Sequence, residues 1–174
     1  MLKDFNLLVT TWRGNESRAR SELKYLLEKG GDSAPVIDRT GISGLIAAKT
    51  SLDPFVLIGS LREILHERPY EFRHSLRIIP IEAVVHTGID EIKQAIVQLS
   101  SKIQADETFR ITVEKRFTSL STSEVIEAAA AGIKRKVNLD KPDKVVLIEV
   151  VGGLTGISVI RPDETISVLK EKVL

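Results

Sequence analysis

The chain has 174 residues, 43% of them hydrophobic, and a formal net charge of +1. That length suits one ordinary domain or two small ones, and the composition supports packed cores rather than a disordered chain. With charge this balanced, any polyanionic partner has to be argued from where the bases sit.

The absence of cysteine excludes disulfides, thiolate metal sites and cysteine nucleophiles, and it fits a reducing compartment. The opening MLKDFNLLVTTWRG has a short apolar run preceded by an acid, so no signal peptide is expected. No apolar run approaches the ~18 residues of a membrane span. The expectation is a soluble, cytoplasmic protein.

In chain order, residues 5–12 (FNLLVTTW) predict a strand. NESRARSELKYLLEKGG predicts a helix, with Asn15 able to cap it, a face of Ala19, Leu23, Leu26 and Leu27, and Gly30-Gly31 ending it. APVIDRT (34–40) and GLIAAKT (44–50) predict a hairpin around Gly41-Ile42-Ser43. Asp53-Pro54 predicts a helix start, with Leu57, Leu61, Ile64 and Leu65 facing a core. HSLRIIPIEAV predicts one returning strand, in which Pro80 marks an edge or a crossing. The order β-α-β-β-α-β is the ferredoxin-like motif.

The second half begins near Val85. Ile89, Ile92, Ile96, Leu99 and Ile103 have the spacing of an amphipathic helix. Residues 107–117 predict a strand, with Phe109, Ile111 and Val113 on one face. Ser121 and Glu124 fit a capping box. Ile126, Ala129, Ala130, Ile133 and Val137 are the expected face of the helix that follows. KVVLIEVV (144–151) is apolar enough to be a strand buried on both faces, and a second strand is expected at 157–161 after Gly152-Gly153-Leu154-Thr155-Gly156. That glycine loop runs into a β-branched segment rather than a helix and has the wrong spacing for a dinucleotide fingerprint, so a hairpin turn is expected.

No catalytic constellation, metal site or cofactor motif stands out. His66, His74 and His86 lack the spacing of a helix metal pair, and the carboxylates mostly alternate with bases. Positive charge, in contrast, collects between 107 and 136. Arg110, Lys115, Arg116, Lys134, Arg135 and Lys136 stand against Glu107, Glu114, Glu124 and Glu127. The run 134–136 also suits a helix C-terminus, where bases offset the macrodipole. Lys115-Arg116 has no such simple account, because lysine falls where the strand's next apolar residue should stand. Phe117 beside it is expected in the core, with base stacking as the alternative.

These residues carry a resemblance. The segment from HTGIDE through RITVEKRF, STSEVIEAAAAGIKRKV and NLDKPDKVVLIEVVGGLTGISVI resembles a THUMP domain, the RNA-binding module of several tRNA-modifying enzymes. The first half resembles the ferredoxin-like domain that commonly precedes it. The implied architecture is α+β, with a ferredoxin-like domain at 1–84 and a THUMP domain at 85–174. The resemblance covers nearly the whole chain, so no catalytic domain is expected. The stand-alone group that it resembles includes the accessory protein of tRNA cytidine N4-acetylation, in which a separate acetyltransferase does the chemistry. It implies a non-catalytic adaptor that binds tRNA, rather than DNA, through the acceptor stem and 3′ end. Lys115, Arg116, Lys134, Arg135 and Lys136 map to the contacting regions, Arg110 lies on the same strand, and Arg13 at the end of the first strand is a further candidate. The rival expectation is a protein-interaction module whose RNA binding is weak or lost.

Overall fold

The computed structural model describes residues 2–173. The chain forms two compact units: residues up to Ile81 together with those from Glu164 onward, and Glu82–Asp163.

The first unit contains β1 (Leu7–Thr10), α1 (Glu16–Lys29), β2 (Val36–Arg39), β3 (Leu45–Lys49), α2 (Pro54–Glu67) and β4 (Arg77–Pro80). Its strands are antiparallel, and β1 is central, with Val9 opposite Ile46 on β3 and Ile78 on β4. Leu7, Val9, Ile46, Ala48 and Ile78 pack against the apolar stripes of both helices. On α1 the buried stripe is Ala19, Leu23, Leu26 and Leu27, as its spacing predicts. The Asp53 carboxylate accepts from the Phe55 amide and starts α2, the capping role expected of it. Asn15 occupies the corresponding position before α1 but makes no side-chain cap; its amide instead donates to His74 Nδ1 at 2.6 Å. Gly44 is required where β3 begins. Its φ is +78°, and a Cβ there would lie 2.8 Å from the Thr11 carbonyl oxygen.

The second unit contains β5 (Ala83–His86), α3 (Ile89–Leu99), β6 (Thr108–Glu114), α4 (Thr122–Ala131), β7 (Lys136–Val137), β8 (Lys144–Val151) and β9 (Leu154–Ile160). Its sheet has the order β5-β9-β8-β6-β7. β6 runs parallel to β7 and β8, whereas β9 is antiparallel to β8 and β5. The carboxyl ends of β5, β6 and β8 therefore share one edge of the sheet. The core lies on the helical face, where Ile92, Ile96, Val125 and Ala129 meet Phe109, Val146, Ile148, Val150, Ile157 and Val159. β8 is buried on both faces, as its apolar run implies.

Four expectations are revised. The segment 74–84 is not one strand. The Ile81 amide donates to Asn6 and the Glu82 amide to Ile157, so the ladder changes sheets immediately after Pro80 and β5 begins anew. The buried stripe of α4 is Val125 and Ala129, with Ile133 buried just beyond the helix, while Ile126, Ala130 and Val137 are exposed. A run of four alanines carries too little hydrophobic contrast to fix the phase of a helix. The run 134–136 does not end a helix: α4 stops at Ala131 with Gly132 as its cap, and Lys136 opens β7 opposite Thr108. Finally, the C-terminal segment joins the first unit, not the second. β10 (Ile166–Ser167) pairs with β4, α5 (Val168–Glu171) follows it, and Ile166 and Val168 enter the first core. No helix among the described residues is long and apolar enough to cross a membrane.

Candidate nucleic-acid interface

The strand 107–117 of the sequence reading ends at Glu114. Beyond it, residues 115–121 cross the carboxyl edge of the sheet to the start of α4, and this loop is pinned at several points. The Gly152 amide donates to the Arg116 carbonyl at 2.8 Å. Arg116 Nη1 lies 2.9 Å from Glu149 Oε2, and these side chains are 17% and 1% exposed. Lys115 Nζ donates to the Leu120 carbonyl at 3.1 Å, and the Leu120 amide donates to Thr118 Oγ1. The Ser121 hydroxyl accepts from the Glu124 amide at 3.1 Å, closing the first turn of α4. From the other side, Thr87 fixes the β8–β9 turn: its amide donates to Gly153 O and its hydroxyl to Gly152 O.

Phe117 stands at the centre of this loop. Its φ is +52°, and among the described residues it alone adopts positive φ without being glycine. For a bulky residue the left-handed region costs about 1–3 kcal/mol. The residue is 81% exposed, so neither the expected core position nor a continued strand holds. The pinned neighbours impose the conformation, and the conformation turns the ring outward.

The candidate bases separate into two kinds. The arginines of the second unit are already engaged by the protein. Arg110 donates to the Leu139 carbonyl, Arg116 pairs with Glu149, and Arg135 Nε donates to the carbonyls of Ile103 and Gln104. These guanidiniums brace loops against the sheet, using the several fixed donors of the group. Lys115, Lys134 and Lys136 are more exposed, although Lys115 Nζ also donates to the Leu120 carbonyl. Arg13 is exposed in the turn after β1 and belongs to the first unit.

The two basic clusters of the second unit do not converge. Lys136 is paired with Thr108 at the start of β6, and Lys115 follows its other end. Seven residues at about 3.3 Å each separate the two ends by roughly 23 Å. Lys134, Arg135 and Lys136 line an open hollow of about 630 Å³ with Ala105, Asp106, Glu107 and Thr108. Acids temper the charge there. The Lys144 ammonium, 2.8 Å away, and the Gln104 amide hold the Glu107 carboxyl below its usual range, so it stays ionised.

Sequence reasoning missed Glu149 as the partner that occupies Arg116. The signal was present, since a lone carboxylate inside a strand buried on both faces requires a cation from a neighbouring strand end. His74 is bound to Asn15, and His66 Nε2 lies 3.8 Å from Glu171. No group of three or more His, Asp or Glu among the described residues could hold a metal ion.

Residues 86–160 match the THUMP domain model, so the second unit contains a THUMP domain. No curated protein sequence gives a significant match. Nineteen solved chains match in structure. PH1313 from Pyrococcus horikoshii Ot3 aligns with a TM-score of 0.60 at 16% identity, over 91% of this chain and 55% of its own. TrmN from Thermus thermophilus aligns at 0.55 and 16%, over 92% and 47%. A 4-thiouridine synthetase in complex with RNA and bound ATP aligns at 0.53 and 14%, over 91% and 42%. The chain thus spans about half the length of these structures, and at such identities the likeness is one of fold.

Proposed function

We propose that this chain is a tRNA-binding adaptor acting in the cytoplasm, which holds tRNA through its acceptor stem and 3′ end for a separate tRNA-modifying enzyme such as a cytidine acetyltransferase. The observation that carries the reading is a THUMP sheet whose carboxyl edge displays Lys115 and Phe117 on a braced loop. Exposed cations on a rigid platform suit an A-form duplex, whose phosphates and 2′-hydroxyls are accessible while its major groove is not. Likeness in fold to a synthetase bound to RNA supports the same class of ligand. We read the first unit as ferredoxin-like, supported by the antiparallel order β4-β1-β3-β2 with both helices packed on one face.

The test is fluorescence anisotropy with labelled whole tRNA at two salt concentrations. Wild type should bind with strong salt dependence, and Lys115→Ala should bind more weakly with a shallower slope. Purified protein that modified tRNA unaided would overturn the adaptor role. A second reading, a protein-interaction module with little RNA affinity, is favoured by the engagement of Arg110, Arg116 and Arg135 within the fold. It requires that wild type show no salt-sensitive binding to tRNA.

A further inference from the structure

Resting on the RNA-binding reading, we propose that Phe117 is a base-stacking residue that makes the carboxyl edge of the THUMP sheet selective for an unpaired RNA end over a closed duplex. Folding gains nothing from this ring where it stands. The residue is 81% exposed, and its backbone is held at φ +52°, a conformation that bulky residues rarely adopt. The residues on either side enforce that conformation, through the Arg116–Glu149 pair, the Gly152 amide on the Arg116 carbonyl, and the Thr118 hydroxyl under the Leu120 amide. Arg116 therefore acts through its neighbour: with its charge neutralised by Glu149, it positions Phe117 rather than gripping a phosphate.

The surroundings decide what the ring meets. A protein-binding hot spot sits within an apolar patch that excludes water. Here the sequence neighbours are Lys115, Arg116, Thr118 and Ser119, followed by Ser121 and Ser123 at the start of α4. One aromatic face, an adjacent exposed ammonium and several hydroxyls are the elements of a single-strand platform, in which the ring stacks on a base and the cation holds phosphate. Every base has a π-face, so such a platform tolerates any sequence. Bases inside a duplex are already stacked on both sides and cannot use it, which confines the site to an unpaired end.

The experiment uses two hairpin RNAs labelled at the 5′ end, identical except that one carries a short unpaired 3′ extension and the other is blunt. Wild type should prefer the extended hairpin by about tenfold, the usual scale of one stacked base. Phe117→Ala should erase that preference while leaving affinity and salt slope for the blunt hairpin unchanged, and Phe117→Trp should retain it. Thermal melting of each variant at the wild-type temperature confirms an intact fold. Three results sink the stacking role alone: wild type binding both probes equally, Phe117→Ala keeping the preference, or Phe117→Ala losing both probes equally. Wild type binding neither probe would remove the RNA reading itself, and the stacking role with it.

Discussion

Removing the guanidinium of Arg116 separates a structural role from a functional one. At 2.9 Å from Glu149 Oε2, the attraction is about 6 kcal/mol at the effective dielectric of about 20 that suits partly buried pairs. Desolvation of both groups offsets most of that, so the intact pair contributes little net stability. The asymmetry appears when one partner goes. Glu149 is 1% exposed, and Arg116→Met would leave its carboxylate without this countercharge inside the sheet, at a cost of about 3 kcal/mol. We take the lower end of the usual range because the Arg116 side chain is itself 17% exposed. For a chain of this size the melting temperature should fall by about 6–12 °C, read by far-UV circular dichroism. The double variant Arg116→Met/Glu149→Gln should return to within about 1 kcal/mol of wild type. In anisotropy with tRNA below its melting temperature, Arg116→Met should keep the wild-type salt slope, whereas Lys115→Ala should lose about 0.7–0.9 of a unit. An Arg116→Met protein that melts like wild type but loses a unit of slope would refute the reasoning, since the arginine would then be holding phosphate.

Two further outcomes follow from other elements. The buried Asp32 carboxylate accepts from the Thr50 hydroxyl at 2.6 Å, the Ala34 and Ser51 amides and the Ser51 hydroxyl. Burial alone would raise its pKa, but these bonds outweigh it and hold the group below the usual 3.8. A depressed folded value means that its stabilisation is complete above the unfolded pKa and is lost as pH falls through the folded one. The stability difference between wild type and Asp32→Asn, from urea titrations, should therefore be constant above about pH 5 and shrink below about pH 4; a difference constant down to pH 2 would contradict it. At the start of α4, Ser121→Ala removes the bond to the Glu124 amide and should cost about 1 kcal/mol, with Ser121→Asp retaining the cap. Equal melting temperatures for all three proteins would show that the cap carries no stability.

Much of the fold is legible from local pattern. The stripe Ala19, Leu23, Leu26 and Leu27, the Asp53-Pro54 helix start and the doubly buried strand 144–151 each follow from periodicity or cap chemistry within a few residues. Where local contrast is weak the reading slips: the alanine run leaves the phase of α4 open, and the two-residue strand β7 is too short to alternate. The segment 74–84 reads as one strand because both of its halves are apolar; Pro80 marks an edge or a crossing, but only the acceptors of the next two amides show that the ladder breaks there and passes to the other sheet.

The candidate site divides in the same way. That positive charge and an aromatic gather after strand 108–114 is written in the residues themselves. Which of those charges remain available is not, because availability depends on partners distant in sequence. Glu149 lies thirty-three positions from Arg116 and reaches it only because β8 runs parallel beside β6. The same pairing fixes Lys136 at the start of β6, about 23 Å by strand rise from Lys115. Sequence determined what chemistry the edge of the sheet could offer. Tertiary structure decided that Arg116 braces that edge, that Lys115 stays exposed there and that Phe117 turns outward, because strand register sets which charges meet and a pinned loop sets where a side chain points.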